Sequence, residues 1–215
     1  MSQNVWITRH GNRLDFIQPE WFNTAPHPYD PPLAEDGFLQ AQALGRRLKS
    51  ERISQIFCSP FLRTVQTATE VAQILNLSIK LEPGLGEWLH ADWMPKMPER
   101  MSLSDLVKAY PLINSSHQPL IQPAYPETEA DVLKRTGKVS QILSDRYPNE
   151  NILLVTHAVA LQGAAWGLVK GNPPIAAKFC CLVKAVRLSQ AQSSQDQRSQ
   201  GWQLELAGDV SHLNN

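Results

Sequence analysis

The amino-acid sequence predicts an α/β fold, namely a three-layer sandwich in which a central, mostly parallel sheet is flanked by helices. Short apolar runs alternate with amphipathic helical patterns along the 215 residues, as a parallel sheet with helical crossovers requires. The strongest run, Asn151–Thr156, has a continuous apolar centre, which is typical of a strand buried on both faces. We expect a single domain over residues 1–215, with an inserted lid segment at about residues 83–126.

In the first half of the chain, apolar runs predict strands, and segments with apolar residues at helical spacing predict helices. Their order is strand 5–7, helix 35–50, strand 54–58, helix 61–75 and strand 78–82. Residues 16–32 are rich in proline and aromatic side chains, and we expect a loop without regular structure there. A loop of this length exceeds most connections, which favours a functional role.

The second half predicts, in order, helix 128–147, strand 151–156, helix 158–168, strand 181–189 and strand 202–206. Thr128 and Asp131 form a capping pattern at the start of the first of these helices. Residues 83–126 hold many of the prolines, with a short helix expected at 103–110, so we interpret them as an insertion over one edge of the sheet and a candidate lid. Residues 190–200 are rich in serine and glutamine and predict a mobile hairpin loop.

Charge and composition exclude several classes of function. The formal net charge is zero, from 20 basic and 20 acidic residues, which argues against a nucleic-acid partner. The sequence contains no apolar run of membrane-spanning length, and residues 1–4 lead into a strand without the features of a secretory signal. Three cysteines, two of them adjacent, are a poor disulfide framework. We therefore expect a cytoplasmic chain with no membrane partner.

The segment Thr8-Arg9-His10-Gly11-Asn12-Arg13 follows the first predicted strand, where open α/β sheets bind ligands. The guanidiniums of Arg9 and Arg13 favour an oxyanion ligand, most simply a phosphate, because they match it bidentately. Their permanent charge disfavours an imidazolium between them, so we expect His10 to stay neutral and nucleophilic near neutral pH.

Two further residues are expected beside His10, because parallel strands bring their carboxyl ends to one edge. Arg63 begins the helix after the second strand, and His157 directly follows strand 151–156. In this constellation His10 would attack phosphorus, Arg9 and Arg63 would neutralise charge, and His157 would donate to a non-bridging oxygen. Glu87 in the lid segment is placed to protonate the leaving oxygen and then to activate water, with its pKa raised by the phosphate dianion.

Each of these residues has an ordinary structural interpretation when it is taken alone, and the combination favours an enzyme. Should Glu87 not be the acid, Glu82 or Asp92 of the same segment would be the next candidates. The other four histidines lack ligand-like spacing, so no metal site is expected; they are His27, His90, His117 and His212.

The motifs resemble those of the histidine phosphatase superfamily, which is also called phosphoglycerate-mutase-like. They are Thr8-Arg9-His10-Gly11, then Cys58-Ser59-Pro60 with Arg63 and Gln66-Thr67-Ala68, and Val155-Thr156-His157. Residues 9–15, 30–33 and 82–88 look most like the phosphatase domain of the ubiquitin-associated and SH3-containing T-cell signalling suppressors. The resemblance implies phosphatase rather than mutase activity, Arg13 as a third phosphate-pocket arginine, and no metal or organic cofactor.

Two positions depart from the family pattern inside the expected substrate-binding set. Asn12 stands where many relatives have an acid or glutamine, and Ala158 follows the second histidine where glycine is frequent. The backbone N–H of Ala158 is retained, so we expect little loss there.

Three functions remain open. The first is a metal-independent phosphomonoesterase acting through phosphohistidine on His10, with a small-molecule phosphate ester or a phosphorylated peptide as substrate. The second is phosphoglycerate mutase-type phosphoryl transfer, although Arg13 and residues 83–126 do not look like those of a mutase. The third is an inactive module that binds a phosphorylated ligand.

Trp88, Trp93 and Met94 suggest an aromatic or apolar leaving group, or else ordinary core packing. The oligomeric state is not predicted.

Overall fold

A mixed six-stranded sheet lies at the centre of the computed structural model, which describes residues 2–188 and 201–214. In chain order the strands are β1 (Asn4–Arg9), β2 (Ile53–Cys58), β3 (Ile79–Leu81), β4 (Asn151–Thr156), β5 (Leu182–Arg187) and β6 (Trp202–Asp209). Across the sheet their order is β3-β2-β4-β1-β5-β6. The first four of these are parallel, whereas β5 is antiparallel to β1 and β6 is antiparallel to β5. The predicted central sheet is confirmed.

Helices cover both faces of this sheet and complete the three layers. The α-helices in the described part of the chain are α1 (Trp21–Thr24), α2 (Glu35–Leu48), α3 (Leu62–Leu75), α4 (Leu103–Ala109), α5 (Glu129–Arg146) and α6 (Ala158–Trp166). Apolar residues of α2 and α3 pack on one face, and those of α5 and α6 pack on the other. The Thr128 side chain and Asp131 form a capping box that fixes the start of α5.

The alternation of side chains along each strand divides the core into two apolar clusters. On β1, Trp6 packs with α2 and α3, whereas Val5 and Ile7 pack with α5 and α6. On β4, Leu153 lies in the first cluster and Leu154 in the second, and both are fully buried. This burial on both faces explains the continuous apolar run of β4.

Some local expectations differ from the structure. Residues 16–32 are not without regular structure, because a 3₁₀ turn at Leu14–Phe16 and helix α1 interrupt them. Four-residue helices carry too few apolar positions to show a helical period, so the sequence pattern does not reveal them. Strand β6 continues to Asp209, beyond the predicted end at residue 206. The hairpin loop predicted at residues 190–200 lies outside the described residues.

The 83–126 segment, which we call the lid segment, packs along the β3 edge of the sheet. Ile79 of β3 accepts a hydrogen bond from the Asn114 N–H (2.8 Å) and donates one to the Leu112 carbonyl (2.8 Å). Helix α4 is the short helix expected within this segment. Among the described residues, none of the helices has the length and apolar character needed to cross a membrane.

Candidate active site

The carboxyl ends of β1, β2 and β4 bring the predicted site residues together. The His10 N–H donates to the Thr156 carbonyl at 3.0 Å, and the Ser59 N–H donates to the Val155 carbonyl at 3.1 Å. These bonds fix the turn after β1 and the turn after β2 against β4. As a result, the His10 and His157 rings lie edge to face with centroids 5.3 Å apart.

His10 is held with one ring nitrogen bonded to the backbone. Its Nδ1 lies 2.7 Å from the Gly11 carbonyl oxygen, which can only accept, so Nδ1 carries the proton and the Nε2 lone pair is free. Burial lowers the pKa of His10 well below its ordinary value, and the charges of Arg63 and Arg9 lower it further. His10 is therefore neutral at physiological pH, as a nitrogen nucleophile must be.

Gly11 allows this turn to pack directly against helix α2. A Cβ atom at Gly11 would lie 2.5 Å from the Gly37 carbonyl oxygen, a distance that real side chains do not adopt. The Gly11 N–H also donates to Thr67 Oγ1 at 3.1 Å. Glycine is thus needed here for close approach of the backbone.

His157 precedes α6 and is held from two sides. Its Nε2 lies 2.8 Å from Ser59 Oγ, and its Nδ1 lies 3.2 Å from Glu87 Oε2. Burial lowers the pKa of His157 to about 4, although the Glu87 carboxylate opposes this shift. In the neutral ring, Ser59 donates to Nε2, and Nδ1–H points to Glu87. The sequence alone did not indicate that Ser59 orients the second histidine.

Arg63 contributes a buried cation with unused donors. Its Nη2 donates to Glu87 Oε2 at 3.1 Å, and its Nη1 lies 3.9 Å from Asp30 Oδ1. Within the described residues, its Nε and Nη1 have no hydrogen-bond partner, and neither does Nε of Arg9. Buried N–H groups are rarely left unpaired in native proteins, and donors of this charge fit an oxyanion.

Arg9 and Arg13 stand at the edge of the same site, each stacked on an aromatic ring. The Arg9 guanidinium lies 4.1 Å from the Phe179 ring centroid and donates to the Ala177 carbonyl at 2.9 Å. Arg13 lies 4.4 Å from the Phe16 centroid and forms a bidentate pair with Asp15. Burial lowers the pKa of Arg9, and the neighbouring charge of Arg13 adds to that shift. We call the set Arg9, His10, Arg13, Arg63, Glu87 and His157 the phosphate pocket, after the ligand that the sequence predicts for it.

The two departures from the family pattern lie beside this pocket. The Asn12 side chain accepts from the Arg13 N–H and donates to Asp36 Oδ2, at 2.9 Å in each case. It therefore shapes the turn that carries Arg13. Ala158 is the first residue of α6, where the backbone N–H groups have no partner within the helix.

Glu87 is the acidic member of the pocket. Burial alone would raise its pKa, but His157 and Arg63 hold the pKa well below its ordinary value, so the group is a carboxylate in the free chain. Of the two other candidate acids, Glu82 is fully buried and accepts from the Gly84 and Leu120 N–H groups. Asp92 is 87% exposed and is bonded to His90 through its own N–H. Neither has a described contact with the phosphate pocket.

A second buried arginine, Arg135 of α5, fixes the loop that carries Glu87. It donates bidentately to Glu127, at 2.6 and 2.7 Å. It also donates to the carbonyls of Gly84 (2.9 Å), Gly86 (3.3 Å) and Glu87 (3.2 Å). We call this pair the Arg135–Glu127 clamp. In the sequence, Arg135 looks like an ordinary polar residue of an amphipathic helix, so pattern analysis missed it.

His10, Glu87 and His157 also offer ligand atoms that all lie within 4.8 Å of one another, which could hold a metal ion. The spacing of these residues along the chain does not indicate such a group. The cationic arginines that surround it favour an anion over a metal ion by simple charge. The absence of a metal requirement remains a prediction.

Comparison with known proteins supplies the family. A model of the histidine phosphatase superfamily (branch 1) matches residues 5–203. The chain belongs to this superfamily. The resemblance inferred from its motifs is thereby confirmed, and the solved structures agree in fold. The ecdysone phosphate phosphatase of Bombyx mori, solved with tungstate, superposes with a TM-score of 0.73 at 23% identity, covering 92% of this chain and 96% of that one.

The curated relatives of this histidine phosphatase have names that refer to different functions. The transcription factor tau 55 kDa subunit of Saccharomyces cerevisiae is 34% identical over 186 residues, 79% of this chain and 42% of that protein. The ecdysteroid-phosphate phosphatase of Drosophila melanogaster is 28% identical over 212 residues, 80% and 28% respectively. Human ubiquitin-associated and SH3 domain-containing protein A is 30% identical over 225 residues, 86% and 34%. The chain thus spans less than half the length of these relatives.

Proposed function

We propose that the chain is a metal-independent phosphomonoesterase that forms a phosphohistidine on His10. The proposal rests on one observation. A neutral nucleophile, His10, lies beside N–H donors of Arg63 that have no acceptor in the part of the chain that the structure describes. His10 Nδ1 is fixed to the Gly11 carbonyl, which leaves Nε2 free, and the buried Arg63 beside it has N–H groups without an acceptor in the described residues. A phosphate ester supplies both the electrophile and the acceptor.

In the first step, His10 Nε2 attacks phosphorus while the bond from phosphorus to the leaving oxygen breaks. Arg9, Arg13 and Arg63 stabilise the charge on the equatorial oxygens. The Nδ1–H of His157, which faces Glu87 in the free chain, donates to one of these oxygens once Glu87 is protonated. The leaving oxygen takes a proton from Glu87. That carboxylate binds a proton from solvent when the ester dianion arrives, because the dianion raises its pKa.

In the second step, water attacks the phosphohistidine and the bond between Nε2 and phosphorus breaks. Glu87, now a carboxylate, accepts the proton of the attacking water. Inorganic phosphate leaves, and the neutral His10 returns with its Nδ1–H still bonded to Gly11.

The relatives support hydrolysis of a phosphate ester. Two insect matches are named ecdysteroid-phosphate phosphatases, and a Hydrogenobacter thermophilus match is named phosphoserine phosphatase 1. We therefore propose a small-molecule phosphate ester or a phosphorylated peptide as substrate. The buried free thiols Cys58, Cys180 and Cys181 support a reducing, cytoplasmic location.

One relative favours a second candidate function. The yeast match at 34% identity is named as a transcription factor subunit, a name that refers to an assembly and states no hydrolytic activity. A module that only holds a phosphorylated ligand needs the arginines but has no use for Glu87 beside His157. The retention of both favours catalysis.

The test is turnover of para-nitrophenyl phosphate in EDTA, run beside interconversion of 3-phosphoglycerate and 2-phosphoglycerate. We expect hydrolysis without added metal and no interconversion. Quenching with labelled phosphate ester should leave an acid-labile, base-stable label on His10. Activity that needs a divalent ion, or label on another residue, would contradict the mechanism. Ligand binding without any turnover would favour the binding module.

A further inference from the structure

A cavity of about 350 Å³ lies between the lid segment and the carboxyl ends of β2 and β3. Its walls include the side chains of Leu81, Leu106 and Ile113, and Arg100, Asn114 and Gln122 also line it. No residue of the phosphate pocket lines this cavity, and none of its described lining residues is acidic. Its volume falls in the range of small-molecule sites, which are mostly apolar with a few polar groups.

Arg100 is the unusual residue of this cavity. Its side chain is only partly exposed, and among residues 2–188 and 201–214 it forms no hydrogen bond and no ion pair. Its guanidinium lies over the Phe61 ring, 4.7 Å from the centroid. Asp30 acts on its charge without a direct contact, and burial lowers the pKa of Arg100. A partly buried guanidinium with unused donors costs desolvation energy that an anion would offset.

The Phe61 ring lies close both to Arg100 and to two residues of the phosphate pocket. The Arg63 guanidinium lies 4.7 Å from the same ring, and the His157 ring meets it edge to face at 5.1 Å. Phe61 is fully buried and packs with Leu89 and Met94. One aromatic ring therefore contacts an arginine of the cavity and an arginine of the phosphate pocket.

We propose that this cavity is a second binding site, which takes a small organic carboxylate. The carboxylate would pair with the Arg100 guanidinium, whose planar fork matches it bidentately. The apolar body would lie against Leu81, Leu106 and Ile113. The site does not depend on the proposed phosphatase activity, because binding is measured without turnover.

The probe is 4-bromobenzoate, with neutral 4-bromobenzyl alcohol as its uncharged analogue. In crystals of the full chain, the anomalous signal of bromine should lie between Leu81, Leu106 and Ile113. By calorimetry, Arg100→Gln should weaken 4-bromobenzoate binding by about tenfold or more, the usual value of a charged hydrogen bond. Binding of the alcohol should change by less than about twofold, since it has no charge to lose.

Lys96→Gln is the matched control, because it removes one positive charge from the exposed part of the same segment, where Lys96 pairs with Glu99. It should leave 4-bromobenzoate binding unchanged. Bromine signal in the phosphate pocket, equal affinity of wild type and Arg100→Gln, or no binding to the wild-type chain would each overturn the proposal. The crystal uses the wild-type chain, so it decides the matter even where a variant fails to fold.

Discussion

Two buried arginines contact Glu87, and they do so in opposite ways. Arg63 donates to the carboxylate and leaves its Nε and Nη1 without hydrogen-bond partners among the described residues. Arg135 reaches the main-chain carbonyl of Glu87 and donates to four other acceptors as well. Both side chains are largely excluded from solvent.

The difference separates a group kept for a ligand from a group that holds the scaffold. A guanidinium with all its donors paired has no capacity left for substrate, and its removal leaves a buried carboxylate and several carbonyls unpaired. A guanidinium with unused donors contributes little to folding and is complete only with an anion. Substitutions in the phosphate pocket should therefore lower activity, whereas substitutions in the Arg135–Glu127 clamp should lower stability.

The largest expected effect is that of His10→Ala. Loss of the nucleophile should lower kcat/KM for para-nitrophenyl phosphate by about 10⁴-fold or more. The melting temperature should stay close to that of the wild type, because the main function of the ring is chemical. Parallel activity assays and thermal unfolding check both parts. Loss of activity that follows loss of the folded state would remove the distinction between pocket and scaffold.

Glu87→Gln should discriminate between leaving groups. An alkyl phosphate leaves as a basic alkoxide and needs a proton, so its kcat/KM should fall by much of the ~10²–10⁴-fold range of general acid catalysis. Para-nitrophenolate is a weak base and should be affected far less. The measurement is the ratio of the two kcat/KM values in wild type and variant. An unchanged ratio would exclude Glu87 as the acid.

Arg135→Gln tests the second arginine of this comparison, whose donors are all paired. Removing one partner of a buried ion pair should lower the free energy of unfolding by about 3–5 kcal/mol. Glu127→Gln is the matched change, and the double variant should lose less than the sum of the two single losses. Urea unfolding at one pH provides these values. Strict additivity would mean that the two residues do not act as a pair.

Arg63→Gln should lower activity and should reduce stability less than Arg135→Gln does. We expect a loss of about 10²-fold in kcat/KM that is similar for alkyl and aryl phosphates, because the side chain stabilises charge rather than the leaving group. The free energy of unfolding should fall by less than in Arg135→Gln, since Arg63 gives up one hydrogen bond to Glu87 and a longer pairing with Asp30, whereas its Nε and Nη1 make no hydrogen bond among the described residues. A loss of stability as large as that of Arg135→Gln would show that Arg63 is also part of the scaffold.

The last prediction concerns the dependence of the free energy of unfolding on pH. The pKa of His10 lies well below its ordinary value of 6.5 in the folded chain, and that of His157 is about 4. As pH falls below the pKa of histidine in the unfolded chain, the unfolded chain binds protons that the folded chain does not. Stability should therefore fall between about pH 7 and about pH 5 by roughly 1–2 kcal/mol for each of the two histidines. Glu87 does not contribute in this window, because its ordinary pKa of 4.5 already lies below the window and its folded pKa is lower than that. Urea unfolding of His10→Asn should show a flatter dependence, and an equal slope would contradict the shifts.

The long elements of the fold could be predicted because their patterns are strong. The apolar run of β4 and the helical spacing in α3 and α5 match the structure within a few residues. Helix α1 is too short to carry a period, and the direction of β5 depends on its partner β1 rather than on its own residues. Such features are set by tertiary packing, which a single sequence does not display.

The residues of the candidate site also differ in whether the sequence could reveal their roles. His10 and His157 could be found because each follows a predicted strand, and topology then brings them together. Ser59 belongs to one of the quoted motifs, but nothing local in the sequence indicates that it orients His157. Arg135, which fixes the Glu87 loop, carries no local signal either, because both roles depend on partners far along the chain. Their contribution became visible only through hydrogen bonds between distant segments.

The burial of the three cysteines predicts that the folded chain resists oxidants and thiol-alkylating reagents. Cys58, Cys180 and Cys181 are fully buried, and burial raises the pKa of each thiol, that of Cys181 to about 11. Hydrogen peroxide and iodoacetamide react with accessible thiolates, and in the folded chain these three offer none. In the proposed mechanism a ring nitrogen is the nucleophile, so hydrolysis should continue under oxidative stress that inactivates phosphatases with a reactive cysteine.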